Sequence, residues 1–400
     1  MNADSSEEFC FCSPVVQYFK NIFGGGQSNE KNSMIIAINN DEISNNDNEE
    51  IPTNRDIGSS SSSPSKTIIR DAASMSSITD HVYVTYNGDE DNSHPINNIL
   101  AFHKNHGHQV GPKDGVLDKQ SLYGHYQLDK LRGMTRGPDG HLYVVVGAQS
   151  MSKILRFIGT PNDNGQHTFM NVFIDESMYK EFTRTKKGKK KSKGAHPYQM
   201  IFSSDGNTVY VSNQNTKDVR LFDGSTGKAL VDGRISGFED VRGIALYEKA
   251  DMLLVASKKG GVHLLKRGDT DASKGQNLKS AQYDPQGLLH SAVPLLIRDD
   301  ILYIGNQPKK EDKGGGNILY VDLSKGSDAS VEVFINNKEE PTFDCPSGLT
   351  FSPDGRFFYV NSRKGLQTIR YQVNEDRIST LVGEVFIEHD DNPLFLWHPK

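Results

Sequence analysis

The chain repeats itself, and that limits its folds more than any other feature. Five stretches share one plan: RGMTRGPDGHLYVVV at 132–146, YQMIFSSDGNTVYVSN at 198–213, RGIALYEKADMLLVAS at 242–257, VPLLIRDDILYIGN at 293–306 and SGLTFSPDGRFFYVNS at 347–362. A shorter sixth copy, ITDHVYVTYN, occupies 78–87. Each full copy opens on a short apolar strand, makes a tight turn, at an Asp-Gly pair in three of the five, and returns through a strand of the Tyr-Val type. The matching positions Tyr83, Tyr143, Tyr210, Leu254, Tyr303 and Tyr359 lie 60, 67, 44, 49 and 56 residues apart. Third strands recur as ILAFHK at 99, KILRFI at 153, DVRLFD at 218, GVHLLK at 261, NILYVD at 317 and QTIRYQ at 367, and outer strands as NVFID at 171, EVFIN at 332 and EVFIE at 384. Alternating apolar and polar residues between Asp-Gly and Asn-rich turns mark β-hairpins, and no long helical period competes after residue 78.

Six such units, each a four-stranded antiparallel sheet, predict an all-β chain: a six-bladed β-propeller over residues 78–400, in which radial repetition protects the sheet edges. The first copy lacks its inner strand. Ring closure therefore requires a strand from elsewhere, either 67–73 or the PLFLWHP near the other end, and the sequence leaves both open. Residues 1–77 have a different character. From 24 to 77 the chain is Ser, Asn, Asp, Gly and Glu, with GGG at 24–26 and SSSSS at 59–63, too polar to offset ordering entropy, and a disordered tail is expected.

Charge divides along the same boundary. Residues 1–80 hold twelve acids and five bases, a balance of −7, so a chain of net −6 has +1 left for the remainder. Seven cations fall in one ten-residue insertion, RTKKGKKKSK at 184–193: Arg184, Lys186, Lys187, Lys189, Lys190, Lys191 and Lys193. Such an island reads first as a solvated loop, and otherwise as a patch attractive to anionic lipid or nucleic acid phosphates. It has no interleaved aromatics to stack bases, so base reading is not expected. Ahead of the tail, FCFCSPVVQYFKNIF at 9–23 places Val15, Phe19, Ile22 and Phe23 on one short helical stripe, and Cys10 and Cys12 beside Phe9 and Phe11 are candidates for acylation. One acyl chain anchors only marginally without a second signal such as the basic loop. The expected alternative is a segment that folds back or binds a partner. Three cysteines in 400 residues cannot build a disulfide framework or a four-ligand zinc site, and no apolar run reaches eighteen residues. Asp4, Glu7 and Glu8 stand where a secretory signal would carry bases. A cytoplasmic protein without a transmembrane segment is the expectation, with nuclear or peripheral membrane association as variants of it.

The half-repeats SSDGNTVYVSNQNTKDVRLFDGSTG at 203–227 and PSGLTFSPDGRFFYVNS at 346–362 resemble those of the YVTN, NHL and gluconolactonase-type propellers, and YVSN at 210–213 is close to the name-giving tetrapeptide. The resemblance covers about 320 residues and speaks to architecture, because function resides in sites grafted onto a fold. It implies that loops at the start of each blade, and loops between second and third strands, share a top face. The long segments 87–98, 184–193 and 306–317 all fall there. The lactonases of this superfamily hold a divalent cation on the propeller axis, using a Glu from the first blade and Asn or Asp at the starts of blades and the ends of strands. The corresponding first residues here are Arg132, Tyr198, Arg242 and Ser347, with the fifth blade unassigned. None is a carboxylate, and two arginines would repel a divalent ion. Asn213, Asn306 and Asn361 after the second strands, with Asp240 and Asp344, are what remains as a calcium set, and the simpler reading of the asparagines is turn chemistry.

Arg132 and Arg242 instead suit a carboxylate or phosphate, unless Asp240 or Glu239 already pairs them. His103, His106 and His108 make an HxxHxH cluster at a third-to-fourth-strand hairpin, expected to be a solvated tip. Cys345 is expected to pack as a small apolar residue. No GxSxG, P-loop, HExxH or CxxC pattern occurs. The sequence thus favours a binding or scaffold module with no cofactor, engaging a protein partner or an anionic ligand through Arg132, Tyr198, Arg242, Asn213, Asn306 and Asn361. The alternative is a calcium-dependent lactonase or esterase.

Overall fold

The computed structural model describes residues 80–86, 96–122, 128–147, 152–175, 177, 194–308, 316–338, 341–377 and 379–399. Residues 1–77, the basic segment 184–193, and Cys10 and Cys12 lie outside them. Among the described residues no helix is long and apolar enough to cross a membrane.

Six four-stranded antiparallel sheets form the molecule. Blade 2, for example, runs from an inner strand Leu131–Arg136 through Leu142–Val146 and Lys153–Phe157 to an outer strand Phe169–Ile174. The inner strands of blades 3 to 6 are Pro197–Phe202, Val241–Tyr247, Ser291–Arg298 and Pro346–Phe351. The inner strand of blade 1 is Pro393–Trp397, paired antiparallel with His81–Tyr86 so that Tyr83 faces Trp397 and Val84 faces Leu396. Of the two closing strands left open by the sequence, the one at 393–397 is used. Consecutive inner strands touch around the whole ring, including blade 6 with blade 1 and blade 1 with blade 2.

The middle strands read as near-continuous apolar runs because both of their faces are covered. In Thr208–Asn213, Val209 and Val211 pack toward blade 2 while Tyr210 packs toward blade 4. The same alternation builds one apolar cluster at each of the six blade junctions. A seventh cluster, Tyr198, Val293, Leu394 and Phe395, lies on the inner strands at the centre of the ring.

The Asp-Gly turns on the bottom face show why that pair recurs. In blades 2, 3 and 6 the Asp carboxylate accepts the N–H two residues on (His141 to Asp139, Asn207 to Asp205, Arg356 to Asp354), while Gly140, Gly206 and Gly355 take φ of 78°, 72° and 76°. That left-handed backbone favours glycine. Blades 4 and 5 make the bend with aspartates instead, Asp251 at φ 52°, Asp299 at 50° and Asp300 at 69°, a conformation that Asp tolerates better than most residues.

Candidate functional site at the mouth of the central channel

Each inner strand carries one extra residue opposite its neighbour. The pairing slips at Leu394 in blade 1, Arg132–Gly133 in blade 2, Tyr198 in blade 3, Arg242–Gly243 in blade 4, Val293–Pro294 in blade 5 and Ser347 in blade 6. A β-bulge re-aims side chains and bends its strand. Six of them, repeated around the ring, make one layer of the channel wall. The four positions read from the sequence as starts of blades (Arg132, Tyr198, Arg242 and Ser347) all belong to this layer, and the fifth blade supplies Val293.

The layer alternates. Blades 1, 3 and 5 contribute Leu394, Tyr198 and Val293, which with Phe395 form the buried central cluster; the Tyr198 and Phe395 rings lie 5.1 Å apart. Blades 2, 4 and 6 contribute Arg132, Arg242 and Ser347, each followed by a glycine. Those glycines admit the next inner strand. A Cβ on Gly243 would fall 2.3 Å from the Val293 carbonyl oxygen, and one on Gly348 2.7 Å from the Leu396 nitrogen.

A cluster of cations borders the apolar one, with the Arg242 guanidinium against the Tyr198 ring. Arg242 is held in a two-point pair by Asp240, at 2.9 and 3.1 Å, and its guanidinium lies 5.4 Å from the centre of the Tyr198 ring. The local ion pair weighed in the sequence is therefore present for Arg242. Arg132 donates to the Leu131 carbonyl and to His196 Nε2, both at 3.4 Å. Its stem lies over Gly147, where a Cβ would come within 3.0 Å of Arg132 Cγ. Burial, with Arg363 and Arg242 nearby, pushes the Arg132 guanidinium down to about 10, so it stays charged at neutral pH. His196 is 7% exposed, and burial followed by Arg132, Arg242 and Lys130 pushes it down to about 3. The ring is thus neutral at physiological pH. Because its Nε2 accepts from an arginine, the proton sits on Nδ1, a buried donor with no partner among the described residues.

Two further cations belong here that sequence reasoning missed. Lys258 and Arg363 each directly follow a second strand, and their N–H groups donate to the Asp240 and Cys345 carbonyls at 2.8 and 3.3 Å. Gln214 makes the same bond to His196, and Gly147 to Lys130. The position is thus a repeated rung at the mouth, visible in the sequence as the residue after Asn213, Ser257 or Ser362. Neither Lys258 nor Arg363 has a side-chain ion pair among the described residues. Cys345, expected to pack as a small apolar group, stands half-buried on this rim with φ 55°, and burial followed by Asp344 raises its thiol above the ordinary range.

The asparagines of the calcium set lie at or next to the ends of second strands. Asn306 is 1% exposed and makes four bonds: its Oδ1 accepts from His290 and Ser291 N–H, and its Nδ2 donates to the Leu288 carbonyl and Asn317 Oδ1. Asn213 donates to the Val211 carbonyl. Asn361 Oδ1 accepts from Thr368 Oγ1 (2.6 Å), which is bonded to His389 Nε2 (2.8 Å), whose Nδ1 meets the Tyr86 hydroxyl (2.7 Å). The amide oxygen can only accept, so the threonine hydroxyl donates to it, His389 donates to the threonine, and Tyr86 donates to His389. These asparagines serve strand ends and blade junctions. Asp240 is clamped by Arg242, and Asp344 lies 3.9 Å from the Lys364 amine. The Asn213 Oδ1 is buried with no partner among the described residues, and no group of three or more His, Cys, Asp or Glu among them is placed to hold a metal. On the opposite face, the His103 and His106 rings stack at 5.0 Å, His103 Nδ1 accepts the Asn105 N–H, and His106 and His108 are exposed.

No family model matches the chain, and no curated protein matches it. Among solved structures, the periplasmic gluconolactonase PpgL of Pseudomonas aeruginosa is similar at 14% identity over 80% of this chain and 99% of that one, with a TM-score of 0.48. A candidate 6-phosphogluconolactonase of Bacteroides uniformis is similar at 11% identity over 78% and 85%, with a TM-score of 0.49. A chain of a nidogen–laminin complex is similar at 11% identity over 79% and 97%, with a TM-score of 0.48. The architecture follows from the strand pairing of the chain itself: a six-bladed β-propeller, as its resemblance to the gluconolactonase-type propellers implied.

Proposed function

We propose that this protein is a binding module whose top face takes a small anionic ligand at the mouth of the central channel. The observation that carries the reading is that Arg132 and Arg242 occupy the same bulge layer of blades 2 and 4, with Arg363 on the rung that follows the second strand of blade 6. Guanidinium forks suit the planar or tetrahedral oxygens of carboxylates and phosphates. The partnerless Nδ1–H of His196 adds a neutral donor beside them. Below, Tyr198, Val293, Leu394 and Phe395 give the site an apolar floor that strengthens charge interactions above it. Asp240 already neutralises Arg242, while Arg363 has no ion pair among the described residues and so adds uncompensated attraction.

Calorimetric titration of the full chain with inorganic phosphate and with citrate tests this. Saturable binding, weakened about tenfold or more in an Arg132→Ala, Arg363→Ala double variant and declining with added salt, is expected. Indistinguishable isotherms for wild type and double variant would overturn it.

A further inference from the structure

We infer that Asp240 holds the channel mouth back from polycarboxylates: its carboxylate fills the guanidinium fork of Arg242 as a built-in ligand, and a second carboxylate of an incoming molecule must take its place there. The filled fork stands on geometry alone; the incoming molecule rests on the anion-binding reading above.

The pair has the form of a bound ligand. Arg242 donates through both terminal nitrogens, at 2.9 Å to Asp240 Oδ1 and at 3.1 Å to Oδ2. Two parallel bonds of this kind are how an arginine takes a free carboxylate. Other contacts fix the guanidinium: its carbon lies 5.4 Å from the centre of the Tyr198 ring, and Nη1 also donates to the Val241 carbonyl at 3.4 Å. The Asp240 side chain is 21% exposed, and among the described residues its carboxylate has no other hydrogen bond or ion pair. Asp240 is tied down through its backbone instead. Its N–H donates to Ser257 Oγ at 3.3 Å, and its carbonyl accepts the Lys258 N–H at 2.8 Å. The carboxylate can therefore leave the fork by a change of rotamer while the strand stays in place.

Blade 2 shows that the bulge does not need this acid. Lys130-Leu131-Arg132-Gly133 and Asp240-Val241-Arg242-Gly243 occupy the same bulge of their inner strands. The carbonyl of the first residue accepts the same rung bond in both, from Gly147 and from Lys258, and each arginine donates to the carbonyl before it at 3.4 Å. Two residues ahead of the arginine, blade 4 has an acid where blade 2 has a base. With the backbone matched, what Asp240 changes is charge and access: it cancels one cation of the mouth and closes the planar edge on which a carboxylate binds. Arg363 remains for a ligand with one carboxylate. A ligand with several needs the Arg242 fork as well, and Asp240 already holds it.

Asp240→Asn keeps the shape and removes the charge. Calorimetry of the full chain with citrate should show binding at least about tenfold tighter in Asp240→Asn than in wild type. The gain should vanish in an Asp240→Asn, Arg242→Ala double variant, and Asp240→Lys, which installs the residue of blade 2, should show it too. A second readout needs no ligand. Labelling by phenylglyoxal, an arginine reagent, is followed by peptide mass spectrometry with Arg356, 76% exposed, as the internal reference. Arg242 is expected to label at least about threefold faster in Asp240→Asn, with an unchanged melting curve. Citrate bound no tighter by Asp240→Asn, or a gain that survives Arg242→Ala, would overturn the inference, and equal labelling of Arg242 in both proteins would overturn the filled fork. Citrate bound by wild type and no tighter by the variant sinks this inference and leaves the anion site standing; faster labelling of Arg242 with citrate bound by no variant sinks the anion site and leaves the filled fork.

Discussion

Blades 1, 3 and 5 differ from blades 2, 4 and 6 at one position, the bulged residue of the inner strand. The odd blades place Leu394, Tyr198 and Val293 there, which join one buried apolar cluster; the even blades place Arg132, Arg242 and Ser347 there, each ahead of a glycine. Every inner strand carries the bulge, so what differs between the two sets is the side chain it presents. Three glycines make the alternation compatible with close packing. A bulky residue after each bulge around the whole ring would leave no room for the strand contacts seen at Gly243 and Gly348.

The largest break in this comparison comes from removing residues 393–400. Blade 1 loses its inner strand, and the plug loses Leu394 and Phe395. The cooperative thermal transition followed by circular dichroism is expected to disappear. Next is Phe395→Ala, which empties part of the plug and should cost about 3–5 kcal/mol in a denaturant titration. Acidification ranks close behind. His196 on blade 3 and His389 at the junction of blades 6 and 1 are each held near 3 by burial, below the unfolded value of about 6.5. Between those values the unfolded chain takes up protons that the native ring refuses. Their contribution is therefore complete above about pH 6.5 and is lost as pH falls toward 3, at up to about 1.4 kcal/mol per pH unit for each histidine. A His389→Gln variant should show a shallower fall in stability between pH 7 and 4.5, and an unchanged slope would contradict the assignment. Gly243→Ala should cost about 1–3 kcal/mol, since backbone must move. Gly133→Ala should cost less, because its Cβ would meet Gln199 Cα at 3.2 Å. Smallest is Ser347→Ala, which removes one hydrogen bond to the Pro393 carbonyl, about 1 kcal/mol. If Ser347→Ala and Phe395→Ala cost the same, the division between odd and even blades fails.

Most of the architecture was legible because it depends on short-range chemistry. Asp-Gly turns, the alternating strands and their spacing each have a local cause, and together they imply six blades. The closing strand was not legible, since PLFLW and the 67–73 segment are equally plausible strands and only long-range pairing separates them. Four of the six bulge residues were visible by alignment of the repeats. Val293 escaped because Pro294 stands where blades 2, 4 and 6 have glycine, and Leu394 because its strand lies far from the rest of its blade. Asn213, Asn306 and Asn361 share a position and look like a ligand set; Asn306 is fully bonded within its blade and Asn361 accepts from Thr368, while the buried Asn213 Oδ1 has no partner among the described residues. Lys258 and Arg363 carry no signature of their own. They matter because the fold brings the same rung of blades 4 and 6 to one mouth.

The pairing of 81–86 with 393–397 has a kinetic meaning. Tyr83 and Trp397 are partners across more than three hundred positions of chain, with five complete blades between them. A contact of that separation carries a large closure entropy, and topologies rich in such contacts assemble slowly. Each of the other five blades can zip from its own hairpins, but blade 1 must wait with three strands and an open inner edge until its neighbours have stacked into an arc that brings the two ends together. The same event that completes the ring also delivers Leu394 and Phe395 to the plug. The central apolar cluster should therefore be the last part of the molecule to form and the first exposed when the ring opens.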